Sequence, residues 1–158
     1  MSTPALVEFN LPPDKATPEQ MRVKIVELED AMRGKPELHV QLETLHHFAP
    51  GVYMRVLKIP KGVLLTGMIH KTEHLNIFVG GDLSVWTDQG MRRLTAHEII
   101  LSKPGIKRVG FAHEDSVWIT VHPNVTNEKD VKVLEDTLVT NNFELLDATI
   151  LKTLTEGV

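Results

Sequence analysis

Between His39 and His122 the chain is cut by turn residues every 8–12 positions into short runs of β-branched and aliphatic side chains, and this punctuation constrains the fold more than any other feature. The runs are 39–45, 52–59, 63–69, 75–79, 83–87, 98–101, 107–111 and 117–121. The breaks are Ala49-Pro50-Gly51, Pro60-Lys61-Gly62, Gly80-Gly81-Asp82, Asp88-Gln89-Gly90, Lys103-Pro104-Gly105 and Glu114-Asp115. Short strands at this spacing predict a sandwich or a barrel. No long helical period interrupts them, which argues against a parallel βαβ sheet.

Helical period returns on both flanks. Thr17-Pro18-Glu19-Gln20 reads as a capping box with proline at the first helical position. Apolar residues follow at Met21, Ile25, Leu28 and Met32, or at Val23, Val26 and Met32, and Gly34 before Lys35-Pro36 stops the helix. Its other face is strongly charged, which predicts a place on the surface or at an oligomer interface. Residues 1–16 read as an arm with a short edge strand at 5–9. At the far end, Thr126-Asn127-Glu128 is expected to cap a helix over 130–139, with Val131, Leu134 and Leu138 as its apolar face and Thr140-Asn141-Asn142 as its stop. Residues 143–154 are apolar at helical or strand spacing, and both readings stand. The expected division is an arm and helix at 1–37, a barrel at 38–123 and a C-terminal segment at 124–158, forming one compact domain.

Hydrophobic residues make up 42% of the chain but aromatic ones only 5%, so Val, Ile and Leu must fill most of the core. The net charge of −4 gives no bias towards nucleic acid. The absence of cysteine excludes disulfides and thiolate metal sites and fits a reducing compartment. The first residues lack the basic and apolar regions of a signal peptide, and no apolar run approaches the ~18 residues of a membrane span. A cytoplasmic protein is expected, with neither nucleic acid nor membrane as a partner.

The stretch from Gly62 to Gly81 resembles the first motif of the cupin superfamily: Gly, five residues, His-x-His, three or four residues, Glu, six residues, Gly. Counted back from Gly81, His74 holds the Glu position, His70 the second His position and Met68 the first. The second motif runs Gly, five residues, Pro-x-Gly, two residues, His, three residues, Asn. Here Gly90 is followed at a longer distance by Pro104-Gly105; Arg108 stands at the metal-binding His position, and Ala112 replaces Asn. The resemblance spans roughly residues 40–123. It implies a mainly β fold, a cupin-like jelly-roll β-barrel with flanking N- and C-terminal helices, and pairing of copies through sheet edges into a homodimer or larger homo-oligomer. The pattern is also similar to small cupins of tailed-phage genomes, which would place the protein in host cytoplasm.

Two of the four ligand positions are changed, so two chemistries stand side by side. In the first, His70 and His74 flank a bend and converge on one divalent transition metal (Fe, Mn, Ni or Zn). His113, expected in the turn before the last strand, is the third ligand, with His122, Glu73 or Glu114 as substitutes. In the second, no metal is bound. Arg108 and Lys107 then bring positive charge to the pocket, where a guanidinium can grip a carboxylate or phosphate with two parallel hydrogen bonds. The plain alternative for Lys107 and Arg108 is a surface pair, or an ion pair with Glu114 or Asp115.

The last run alternates Ser116, Trp118, Thr120 and His122 with Val117, Ile119 and Val121. If the first set faces inward, it forms a polar, aromatic wall suited to a ligand. Arg92-Arg93 reads as a solvated turn, and His39, His46-His47 and His97 as structural or surface histidines. His113-Glu114-Asp115 reads either as a polar turn or as an acid/base group. No GxxxxGK loop, GxSxG elbow or cysteine nucleophile is present. Three functions follow. The first is a binding protein for a small anion, with His70, His74, Arg108, Lys107, His122 and Trp118 at its site; one version is a phage protein that sequesters a metabolite or nucleotide signal. The second is a metal-dependent oxygenase, isomerase or epimerase acting on a sugar or small acid. The third is a structural assembly protein.

Overall fold

The computed structural model describes residues 9–141. Its elements are helix α1 (Pro18–Arg33), a 3₁₀ turn (Pro36–Leu38), and strands β1 (Thr44–Ala49), β2 (Gly51–Ile59), β3 (Leu64–Thr66), β4 (Ile69–His70), β5 (His74–Thr87), β6 (Gly90–Leu94), β7 (Glu98–Ser102) and β8 (Val109–Asn124). Helix α2 (Val131–Leu138) and strand β9 (Val139–Thr140) follow. The architecture is mainly β, with a helix before and after the strands.

Two long strands organise the fold. β5 and β8 pair antiparallel along nearly their whole length, and each changes its outer neighbour midway. In one half the order is β1-β2-β8-β5-β7; in the other, β3 pairs with β8 and β6 with β5. The change falls at a series of register shifts between Phe78 and Leu83, opposite Glu114–Ser116. Gly81 adopts φ +114° there, and a Cβ at this position would collide with Ser116 and the Asp115 carbonyl. Ser116 Oγ accepts from Asp82 N at 3.2 Å and donates to Glu114 O at 2.8 Å, fixing the bend.

These bulges correct two expected turns. Gly80-Gly81-Asp82 and Glu114-Asp115 do not separate strands, so runs 75–79 and 83–87 are one strand, and runs 107–111 and 117–121 merge from Val109 onward. The residues that relieve strain in a hairpin serve a bulge equally well, because both ask for positive φ or unpaired backbone. Three other boundaries move. The run 39–45 becomes a strand at Thr44–Ala49, because the β1–β2 hairpin sets its register from Ala49↔Val52 back to Thr44↔Leu57. The run 63–69 divides into β3 and β4. Arg92 and Arg93 lie in β6, which the sequence reading took for a turn: Arg93 ion-pairs Asp82 at 2.6 Å, and Arg92 pairs Glu98.

The capping box of α1 is present: Gln20 N donates to Thr17 Oγ1, and Thr17 N donates to Gln20 Oε1. Met21, Ile25 and Leu28 bury against Trp86, Val109 and Phe111, so α1 covers the outer face of the β3-β8-β5-β6 half. The opposite, inner face of that half joins Ile59, Phe78, Leu83, Val85, Leu94 and Ala112 in the barrel core. Burying a side chain of this size stabilises by about 1.5–3 kcal/mol. The C-terminal helix is capped by Asp130, not by Thr126-Asn127-Glu128. Its Leu134 and Leu138 pack on Tyr53. The expected edge strand at 5–9 and the apolar stretch 143–154 lie outside the described residues, apart from Phe9. Among the described residues no helix is long and apolar enough to cross a membrane.

Candidate functional site: a barrel cavity with two arginines

Alternation along β8 turns Ser116, Trp118, Thr120 and His122 to the barrel interior, where Ser116, Thr120 and His122 are buried. On β5 the inward set is His74, Asn76 and Phe78, so the polar parity faces in and Leu75 and Val79 stand exposed outside. The resulting cavity of about 330 Å³ is bounded by Arg55, His70, Asn76, Arg108, Trp118 and Thr120, with Leu57, Leu65 and Val85 among its apolar walls.

Asn76, 1% exposed, is the hub of the polar wall. Its Oδ1 accepts from Trp118 Nε1 at 3.0 Å and Thr120 Oγ1 at 3.2 Å. Its Nδ2 donates to Ser102 Oγ at 2.7 Å. Arg108 also donates to Ser102 Oγ, and its guanidinium lies 5.7 Å from the Trp118 ring centroid. Burial lowers the Arg108 pKa to about 10, against the raising effect of Asp88, so it stays charged at neutral pH. Among the described residues no Asp or Glu lines the cavity, and neither Arg55 nor Arg108 is in a salt bridge.

Behind this wall three histidines form a stack. The His70 and His74 ring centroids are 3.9 Å apart, and each lies 5.2 Å from that of His122. Tyr53 continues the stack against His122 at 5.9 Å, and its hydroxyl bonds His46 Nδ1 at 2.7 Å. His74 Nδ1 donates to Thr72 O at 2.9 Å, which leaves Nε2 as the acceptor. That Nε2, His70 Nδ1 and His122 Nδ1 are buried without hydrogen-bond partners. Burial, then the neighbouring imidazoles and arginines, pushes His70 down to about 2; burial, His74 and Arg55 push His122 down to about 4. All three are neutral at physiological pH.

Neutral imidazoles with free nitrogens have the donor chemistry of a transition-metal site, but their arrangement does not fit one. A metal held by two imidazoles lies in both ring planes, about 2.0–2.1 Å from each nitrogen. The His70 and His74 rings are 3.9 Å apart and inclined by only 23°, so they share no such point. Among the described residues no group of three His, Asp or Glu is placed to hold a metal ion.

The other expected site residues divide. Arg108, Trp118 and His70 line the cavity, and His74 and His122 stand in the stack beside it. Lys107 does not reach the cavity: buried under α1, its Nζ bonds Glu29 Oε1 at 3.0 Å. His113 lies within β8 and not in a turn, apart from His70 and His74, with Nε2 2.7 Å from Ser84 Oγ and its ring edge-on to Phe111. Glu73 is exposed, and Glu114 pairs with Lys61 on the surface. Arg55 and Asn76 are not among the expected site residues, because Asn76 stands in the first motif at a position without a signature residue and Arg55 lies outside both motifs. The parity of Arg55 with Tyr53 and Leu57 in run 52–59 was the available signal.

No family model and no curated protein matches the chain. Similar solved structures include a cupin-2 domain protein of Shewanella frigidimarina, 16% identical over 59% of this chain and 92% of that one, with a TM-score of 0.44. KdgF from Halomonas sp. is 15% identical over 60% of this chain and 88% of its own, with a TM-score of 0.48. The Clostridium difficile EutQ protein is 15% identical over 53% and 68%, with a TM-score of 0.44. The likeness is to part of the chain and concerns backbone shape.

Proposed function

We propose that this chain is a binding protein for a small organic anion, which it holds inside the barrel without converting it. The observation that carries this reading is the pair Arg55 and Arg108 on one cavity with no carboxylate in its lining among the described residues. A buried guanidinium with no salt-bridge partner is costly unless a ligand supplies the contact, and the Coulombic effect of Asp88 offsets only part of the burial of Arg108. The anionic group, a carboxylate or phosphate, sits between the two guanidinium groups. Trp118 and the aliphatic wall take the carbon body, and Thr120 with Asn76 offers polar contacts. A cavity of about 330 Å³ suits a metabolite-sized ligand. Sequestration of an anionic metabolite or nucleotide signal in a host cytoplasm is one setting for such a protein.

A second reading, a metal-dependent enzyme on a sugar or small acid, draws support from the three unpartnered imidazole nitrogens. The stacking of their rings opposes it. Native mass spectrometry of the full chain, followed by calorimetric titration with a panel of sugar acids, dicarboxylates and sugar phosphates, tests the binding function. The expected result is one anion bound per chain with micromolar Kd, unaffected by chelator. Conversion of a panel member by protein loaded with Fe, Mn, Ni or Zn, or absence of binding across the panel, overturns it.

A further inference from the structure

Arg108 borders two spaces. One is the central cavity. The other is a side slot of about 200 Å³ between the β6–β7 edge and the segment 103–108 that leads into β8. Directly opposed residues of paired strands share a face of the sheet. The pairs Val85↔Arg92 and Asn76↔Ile100 therefore turn Arg92 and Ile100 inward, and Leu94 follows Arg92 by alternation. Ile106 faces them across the slot. Val85, Arg108 and Trp118 line both spaces, so the guanidinium and the indole stand in the wall that cavity and slot share.

Charge is confined to that wall. The slot's other cation, Arg92, is paired with Glu98. Among the described residues no carboxylate lines the slot, and Arg108 is its one cation outside a salt bridge. Asp88 acts on Arg108 through its charge but lines neither space. Ser102 takes one hydrogen bond, from Nη2, and a guanidinium has further N–H donors for a ligand. An anion at Arg108 thus sits at a junction. Leu57 and Leu65 offer an apolar wall on the cavity side, and Leu94, Ile100 and Ile106 offer one on the slot side.

We propose that the slot is a second subsite and that the ligand is a phosphodiester: its phosphate meets Arg108, one ester group fills the cavity and the other fills the slot. This rests on the anion-binding reading above and names its ligand class. The number of substituents on the anion decides it. A carboxylate or a phosphate monoester carries one organic group and leaves one of the two spaces empty. A phosphodiester carries two, on opposite sides of a single negative charge. Its two non-bridging oxygens have the spacing that a guanidinium meets with parallel hydrogen bonds. Spaces of about 330 and 200 Å³ suit one larger and one smaller ester group.

Calorimetric titration of the full chain with phenyl phosphate and diphenyl phosphate tests this. The diester is expected to bind roughly 10–100-fold more tightly than the monoester, the effect of burying one further aromatic ring. Ile106→Trp, which fills the slot, is expected to bring the diester down to the affinity of the monoester and to leave the monoester as it was. Should that variant misfold, Leu101→Trp at the solvent-exposed rim of the slot gives the same expected loss. A monoester that binds wild-type protein as tightly as the diester overturns the subsite, as does a diester preference that persists in a folded slot variant. Binding of a carboxylate from the panel where both phosphates fail overturns the phosphodiester class and leaves the anion-binding reading standing. Phosphate binding that survives Arg108→Gln unchanged overturns that reading and the subsite together.

Discussion

The guanidinium of Arg108 lies 5.7 Å from the centroid of the Trp118 ring, and both side chains bound the same cavity. The pair couples a fixed charge to an aromatic face. Each partner positions the other, and Ser102 Oγ accepts a hydrogen bond from the guanidinium.

Replacing Arg108 with Gln is expected to weaken binding of the selected anion about 10–100-fold, the range for one charge-assisted hydrogen bond of ~1.5–3 kcal/mol. The melting temperature should change little, because the variant also removes a largely buried charge that makes no salt bridge among the described residues and is opposed only in part by Asp88. Calorimetric titration alongside thermal melts distinguishes this outcome from a structural role, in which both would fall together.

Lys107→Ala is expected to do the reverse, destabilising the fold by about 3 kcal/mol while leaving anion affinity intact. Its ammonium is buried against Glu29, and removing one partner of a buried pair strands the other. Glu29 keeps Arg33 at 3.1 Å, which places the cost at the lower end of the range. Joint replacement by Lys107→Met and Glu29→Leu should recover most of the loss in urea unfolding.

Gly81→Ala should cost at least about 2–4 kcal/mol. The position combines φ +114° with a Cβ path blocked by Ser116 and the Asp115 backbone. Neither relaxes without undoing the bend where β5 and β8 change neighbours. A folded variant with unaltered melting would refute the bulge as the hinge of the two half-sheets.

Stability should fall on acidification from pH 6.5. His70 and His122 have folded pKa values of about 2 and about 4 against 6.5 in the unfolded chain. Between those values the unfolded state carries protons that the folded state refuses, so acid favours unfolding. Above pH 6.5 the imidazoles are neutral in both states and contribute nothing to the slope. By pH 5 the loss amounts to at most ~2 kcal/mol for each imidazole. Melting curves from pH 7.5 to 4 for the wild-type chain and for His122→Phe check this; the variant, which keeps the stack against Tyr53, should show a shallower decline.

Much of the fold was legible in residue order alone. The turn residues and β-rich runs determined a mainly β barrel, and Thr17-Pro18-Glu19-Gln20 determined where the first helix begins, because these signals act through local backbone conformation. The motif spacing brought His70 and Arg108 into view, and the alternation of Ser116, Trp118, Thr120 and His122 offered a candidate inner wall. Tertiary structure decided the remainder. A glycine with positive φ serves a turn or a bulge, and only pairing across β5 and β8 made Gly81 the latter. Lys107 and Arg108 are neighbours in sequence, yet consecutive residues point apart, and packing against α1 took one for Glu29 and left the other in the cavity. Arg55 and Asn76 joined the site through strand register, which is a property of the assembled sheet. The direction of each histidine ring was likewise settled by its neighbours in the stack, because residue spacing fixes which imidazoles meet and not how their nitrogens are aimed.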